Sequence, residues 1–208
     1  EDLNNARAHT NSWGVNACDL NNDGSPELLS ASYGRAPNHL WMADGPDAGL
    51  SWTNRSVDSG YAYDDRMDWT DNESARCHCQ LNPNAEDCDG VPAPELIECN
   101  ESTDLRWNHD TDREPFRLGG NSGTTICADL DGDGWMDLVT TEIVHWDVGS
   151  SSDPSEALYN QQKDEVVFER PGNDQTGLTW EHQMTTWNDG DITAAIFDFD
   201  NDARPDVY

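Results

Sequence analysis

Three short segments place oxygen-bearing side chains at alternate positions: Asp19-Leu-Asn21-Asn-Asp23-Gly24-Ser25-Pro-Glu27, Asp129-Leu-Asp131-Gly-Asp133-Gly134-Trp135-Met-Asp137 and Asp198-Phe-Asp200-Asn-Asp202-Ala203-Arg204-Pro-Asp206. Side-chain oxygens at positions 1, 3 and 5 of a tight loop converge on one hard cation. A backbone carbonyl at position 7 and a carboxylate at position 9 bring the shell to about six or seven ligands, which suits Ca²⁺. The candidate metal ligands are therefore Asp19, Asn21, Asp23, the carbonyl of Ser25 and Glu27; Asp129, Asp131, Asp133, the carbonyl of Trp135 and Asp137; and Asp198, Asp200, Asp202, the carbonyl of Arg204 and Asp206. Glycine at position 6 lets the backbone turn back around the ion. Gly24 and Gly134 supply it and Ala203 does not, so two to three Ca²⁺ ions are expected, with the third loop the weakest site. Asp, Asn and Gly also make ordinary turns, but three matches with an acidic ninth position point to an internal repeat with metal chemistry.

The elements that hold these loops follow from their flanks. An EF-hand needs Glu at position 12, where Ser30 and Thr140 stand, so that motif is excluded. Thr124-Thr-Ile-Cys-Ala before the second loop and Leu138-Val-Thr-Thr-Glu-Ile-Val after it are rich in β-branched residues, so each loop is expected to join two strands of a hairpin. A dockerin pair would set its loops among helices, and thrombospondin-type calcium repeats would follow one another almost without gaps. Here 110 residues separate the starts of the first and second loops, and 69 those of the second and third.

On these loops, and on Tyr33-Gly34, Asn38-His-Leu40-Trp41, Ser51-Trp52 to Gly60, Glu156-Ala-Leu158-Tyr159-Asn160, Val167-Phe168 and Thr176-Gly177-Leu178 after them, the chain resembles the FG-GAP or VCBS repeat family. The likeness is to the calcium-loop blades of integrin-α-like β-propellers, most closely the bacterial and cartilage-acidic-protein branch. Trp13-Gly14-Val15, Gly123-Thr-Thr-Ile126 and Ile192-Thr-Ala-Ala-Ile196 stand where that family has its incoming strand. The resemblance implies an all-β protein of four-stranded antiparallel blades. One blade would span residues 1–60, a second 118–179, and a third would start at 180 and run to 208, an incomplete propeller that is part of a longer one or whose missing blades come from another chain.

Residues 61–117 read as an irregular, cysteine-rich insertion. Cys77 and Cys79 are too close to pair with each other and are expected to bridge to Cys88 and Cys99 in one of two connectivities. A zinc knuckle of these four with His78 is the competing reading, although their spacing lacks paired C-x-x-C. Cys18 and Cys127 are offset by one place relative to their loops, which turns them to opposite strand faces; small buried residues are the expected role, with a bridge between them as the alternative.

The chain of 208 residues has a net charge of −31 with Lys163 as its single lysine, which argues against nucleic acid and anionic membranes as partners. Nine Trp, five Tyr and four Phe supply the apolar groups a disordered chain of mean hydropathy −0.85 would lack. No run reaches the roughly 18 apolar residues of a membrane span. H-E-x-x-H, G-x-S-x-G, G-x-x-x-x-G-K and C-x-x-C-H are absent, and none of His9, His39, His78, His109, His145 and His182 sits in a catalytic pattern. Trp107-Asn-His109 and Trp180-Glu-His182 read as related blade positions. Trp13, Trp41, Trp52 and Trp135 read as core, which leaves Trp69, Trp107 and Trp146 as candidates for stacking on sugars. The expected function is an extracellular, Ca²⁺-stabilised module, secreted or at the cell surface, that binds protein or carbohydrate or assembles with copies of itself. The alternatives are the scaffold of a secreted hydrolase or lyase and a subunit of an extracellular filament.

Overall fold

The structure is a computed structural model and describes residues 11–34, 36–45, 51–63, 68–104, 106–113, 120–145, 154–179 and 189–208. The fold is mainly antiparallel β-sheet with a few short helices. Strands β1 (Asn11–Cys18), β2 (Glu27–Tyr33), β3 (His39–Ala43) and β4 (Trp52–Asn54) form a first sheet in sequential order. After helices α1 (Glu73–Leu81) and α2 (Glu101–Asp104), strands β5 (Ser122–Ala128), β6 (Asp137–Val144), β7 (Glu156–Asn160) and β8 (Phe168–Glu169) form a second. A short helix α3 (Asn173–Thr176) follows, β9 (Asp189–Gly190) pairs with β6, and β10 (Ile196–Phe197) pairs with β11 (Asp206–Val207) in a separate hairpin. Among the described residues these sheets do not close into a ring.

Register decides which side chains meet. Ala17, Leu28 and Trp41 stand opposite one another across β1, β2 and β3, and Cys127, Leu138 and Leu158 do so across β5, β6 and β7. Alternation then puts Cys18, Leu29 and Leu40 on the other face of the first sheet. That face packs on the Cys127 face of the second sheet, in one core with Leu20, Tyr61, Val166 and Phe168. The inner strands approach closely: a Cβ on Gly14 would lie 2.8 Å from the Gly123 carbonyl oxygen, so a side chain there would force β1 and β5 apart. Polar ties cross the same seam, with Asn16 Nδ2 donating to the Thr125 carbonyl at 3.1 Å and the Tyr61 hydroxyl 2.6 Å from Thr125 Oγ1. Burial raises the Tyr61 phenol above its usual value, so it stays neutral.

The stacking decides between the two readings of Cys18 and Cys127, against separate small buried residues and for the bridge. They do lie on opposite faces of their strands, but two sheets packed front to back bring those faces together, and the two residues form a disulfide with a Cα–Cα distance of 6.5 Å. The segment between the sheets is also more ordered than its sequence suggests. Asn72 caps α1 by accepting from the amides of Ser74 and Ala75. Glu73, buried, accepts from the backbone amides of Glu95, Leu96 and Ile97 at 2.8, 2.6 and 3.3 Å, and its other oxygen accepts from Arg76. Ala75 and Trp107, with Trp69 against them, make a small apolar cluster. Trp107 is thus buried inside the insertion, not exposed and not in a blade, whereas Trp13 is exposed and stacks on Tyr33 with ring centroids 4.5 Å apart. Thr176–Leu178, which the family resemblance reads as a late strand, is instead the end of α3 and the residues after it, and Ile192–Ala195 precedes β10 without joining it as strand. Trp146, Trp180, His9 and His182 lie outside the described residues.

Candidate metal centre

Each acidic loop connects two antiparallel strands, β1 to β2, β5 to β6 and β10 to β11. The three adopt one conformation. Positions 4 and 6 are left-handed in all of them, through Asn22 and Gly24, Gly132 and Gly134, and Asn201 and Ala203. Asn, Gly and Asp are the residues that reach this region at least cost, and the type of position 4 was a signal available in the sequence. Ala203 takes the same conformation, at φ 67°, so the doubt about the third loop concerns its cost and not its shape.

The same five hydrogen bonds recur in each loop. The position-5 amide donates to the position-1 carboxylate, at 3.1 Å in Asp23, 3.1 Å in Asp133 and 3.0 Å in Asp202. It also donates to the side-chain oxygen of position 3, Asn21, Asp131 or Asp200. The position-6 amide donates to the second oxygen of position 1, and the position-7 amide of Ser25, Trp135 or Arg204 donates to position 5. Last, the position-2 amide donates to the position-9 carboxylate: Leu20 to Glu27 at 2.8 Å, Leu130 to Asp137 at 2.9 Å and Phe199 to Asp206 at 2.7 Å.

These bonds aim oxygens inward. Asp129, Asp131 and Asp137 each bring an oxygen within 4.8 Å of the others, and so do Asp198, Asp200 and Asp206. Carboxylates so close repel one another unless a cation or donors intervene. The second oxygen of position 5 is met by such a donor in each loop: Asn21 Nδ2 on Asp23, Gln162 Nε2 on Asp133 at 2.6 Å, and Arg204 on Asp202. Arg204 holds the Asp202 carboxyl below its usual range. Position 9 differs from the rest in burial. Glu27 and Asp137 are buried, and desolvation raises both carboxyls, against the opposing pull of the Leu20 and Ala43 amides on the first and of the Asn160 and Leu130 amides on the second. Asp137 has both oxygens hydrogen-bonded, whereas Glu27 Oε1 is buried without a hydrogen bond of good geometry.

Contacts between loops were not legible in the spacing. Asn22 Nδ2 donates to the Gly134 carbonyl at 3.2 Å, linking the first loop to the second. Asn160, at the end of β7, donates to the carbonyls of Leu20 and Met136.

The cysteines of the insertion pair as Cys77–Cys99 and Cys79–Cys88, one of the two expected connectivities, so all six cysteines are in disulfides. Cys79 and Cys88 do lie within metal-ligand reach of His109. Their sulfurs are bonded to each other, and His109 is engaged on both nitrogens, by the Trp107 indole N–H at 3.1 Å and the Glu86 carbonyl at 2.5 Å. His78 lies 2.6 Å from Asp104 and stacks on His109, but the cavity of about 320 Å³ in this segment, walled by Cys79, Pro83, Cys88 and Val91, has neither imidazole on its lining. Three disulfides point to an oxidising environment. No described helix is long and apolar enough to cross a membrane. Compared with protein families, with curated proteins and with solved structures, the chain matches none.

Proposed function

We propose that this chain is a Ca²⁺-stabilised β-sheet module of the FG-GAP or VCBS kind, secreted or displayed at a cell surface, whose work is binding or assembly rather than catalysis. The observation that carries the reading is the fivefold hydrogen-bond set, reproduced in three loops in which no non-ligand position holds the same residue throughout; Leu at position 2, Asn at position 4, Gly at position 6 and Pro at position 8 are each shared by two of them. The donor set fits the ion: hard oxygens only, converging carboxylates, and in the first loop a buried oxygen on Glu27 without a well-formed hydrogen bond. Calcium bound there would relieve the carboxylate repulsion and lock each hairpin at its tip. The sheets would then be blades of a propeller completed by other units, and the acidic surface would face a protein or carbohydrate partner. The pairing of the insertion's histidines with Asp104, Trp107 and Glu86 favours a structural part for them over acid–base chemistry.

The test is a melting curve of metal-stripped protein titrated with Ca²⁺ and, separately, Mg²⁺. Binding to the folded state at a thousandfold excess over Kd adds about 4 kcal/mol per site, so Ca²⁺ should raise Tm by several degrees and Mg²⁺ should do much less. Asp129→Asn with Asp131→Asn should remove a large part of the rise. A Tm indifferent to Ca²⁺ and to EGTA overturns the proposal.

A further inference from the structure

A buried hydrogen-bonded path runs between the ninth positions of the first and second acidic loops. Glu27 accepts from the Leu20 amide at 2.8 Å, the Leu20 carbonyl accepts from Asn160 Nδ2 at 2.8 Å, and the Asn160 amide donates to Asp137 at 2.8 Å. All four residues are buried. Asn160 is held from every side, since its Nδ2 also donates to the Met136 carbonyl at 3.0 Å and its Oδ1 accepts from the Gln162 amide at 3.0 Å. A second contact joins the loop tips, where Asn22 Nδ2 donates to the Gly134 carbonyl at 3.2 Å. Among the described residues, the hydrogen bonds of the third loop run within its own hairpin.

The strand pairing does not by itself require this path. Leu28 stands opposite Trp41 and Leu138 opposite Leu158, so Ala43 has in the first sheet the place of Asn160 in the second. Both backbone amides serve a ninth-position carboxylate, Ala43 that of Glu27 and Asn160 that of Asp137. The methyl group of Ala43 ends there, whereas the amide of Asn160 reaches across to the neighbouring loop. The backbone bond thus belongs to the repeat, and the side-chain bond to Leu20 is an addition of the second sheet.

We infer that the first and second loops take up Ca²⁺ as a coupled pair, with positive cooperativity carried by Asn160 and Asn22, while the third loop binds independently. The inference rests on the calcium reading of the loops and adds to it how two of the sites regulate each other. Its physical basis is shared ordering. Fixing Asp137 in the second loop fixes Asn160, and with it the Leu20 backbone that holds Glu27, so the freedom of the common path is lost once for two binding events. Electrostatics acts in the opposite sense, because a filled loop has less negative charge with which to draw an ion to its neighbour. Salt screens exposed charges, with a Debye length of about 3 Å at 1 M, and leaves buried hydrogen bonds in place, so the cooperativity grows as NaCl is added.

A Ca²⁺ titration of the whole metal-free chain with its disulfides intact tests this, followed through the amide NMR signals of Gly24, Gly134 and Ala203 in about 1 M NaCl. Gly24 and Gly134 should shift together along one sigmoidal curve, and Ala203 along its own. Asp129→Asn with Asp131→Asn, which disables the second loop, should weaken binding read at Gly24 at least about fivefold, and Asp19→Asn with Asp23→Asn should weaken binding read at Gly134 by the same factor, since coupling is reciprocal. Asp198→Asn with Asp200→Asn should change neither. Asn22→Gly keeps the left-handed backbone that Gly132 adopts at the equivalent position, so it should reduce the factor with little change in melting temperature. Asn160→Ala should remove the rest; if that variant does not fold, Asn22→Gly and the reciprocal pair still give the answer. Binding at Gly24 that ignores the second loop, unequal factors in the two directions, or an equal effect from disabling the third loop overturns the inference and leaves the calcium reading standing. Signals blind to Ca²⁺ in all three loops overturn both.

Discussion

Asn160 donates its side-chain amide to the carbonyl of Leu20 at 2.8 Å, across 140 residues of sequence, and so ties the first acidic loop to the third strand of the second sheet. Both residues are buried. Removing the amide leaves a carbonyl without water or partner, which costs about 1–3 kcal/mol. Asn160→Ala is therefore expected to lower the unfolding free energy by that amount and so to lower the urea midpoint, and Asn160→Asp, which keeps the shape and loses the donor, to do no better. Equilibrium unfolding followed by tryptophan fluorescence reads it.

Ala203 pays for a left-handed backbone that Gly24 and Gly134 adopt freely. An L-residue in that region costs about 1–2 kcal/mol. Ala203→Gly should slow amide exchange at Phe199 and Asp202, whose N–H groups bond Asp206 and Asp198, and should sharpen Ca²⁺ binding by the third loop. Gly134→Ala should do the reverse in the second. Unchanged exchange in both variants would show that the loop conformation is set elsewhere.

The three disulfides close loops of very different length, with sequence separations of 109 for Cys18–Cys127, 22 for Cys77–Cys99 and 9 for Cys79–Cys88. Loop-closure entropy grows with length, from about 2.7 kcal/mol for ten residues to about 4.7 kcal/mol for a hundred. Replacing Cys18 and Cys127 together by Ala should cost more stability than replacing Cys79 and Cys88 together. Calorimetry under oxidising conditions distinguishes the two.

Burial lowers the pKa of His39 from the usual 6.5. The unfolded chain therefore takes up a proton before the folded one does, so stability is full above about pH 6.5 and falls as pH drops through that value, with a slope of at most about 1.4 kcal/mol per unit for one proton. His39→Gln should flatten the stability profile between pH 7 and 5.5 while leaving its alkaline side unchanged. A parent profile already flat in that interval would contradict the assignment.

The hairpins were legible because two local signals agree: β-branched runs on each side, and Asp, Asn and Gly at the positions that must turn. The Cys18–Cys127 bridge was not. Spacing places each cysteine on a face of its own strand, but which faces meet depends on how the sheets stack, a long-range property. Helix α1 was missed because its nine residues carry no apolar stripe in the sequence, and its start is fixed by Asn72 and by Glu73 binding amides more than twenty residues away. Trp107 was misplaced for the same reason: its neighbour in the core is Ala75, and nothing near it in the sequence announces that. Ala203 misled in the opposite sense, since the surrounding hydrogen bonds force a conformation its residue type disfavours.

The covalent link at the base of the first two loops has a further consequence. A protease that nicks the long connection between the sheets would not liberate either half. The cut protein should still run as one band on a denaturing gel, and fall into two only once a thiol reductant opens Cys18–Cys127.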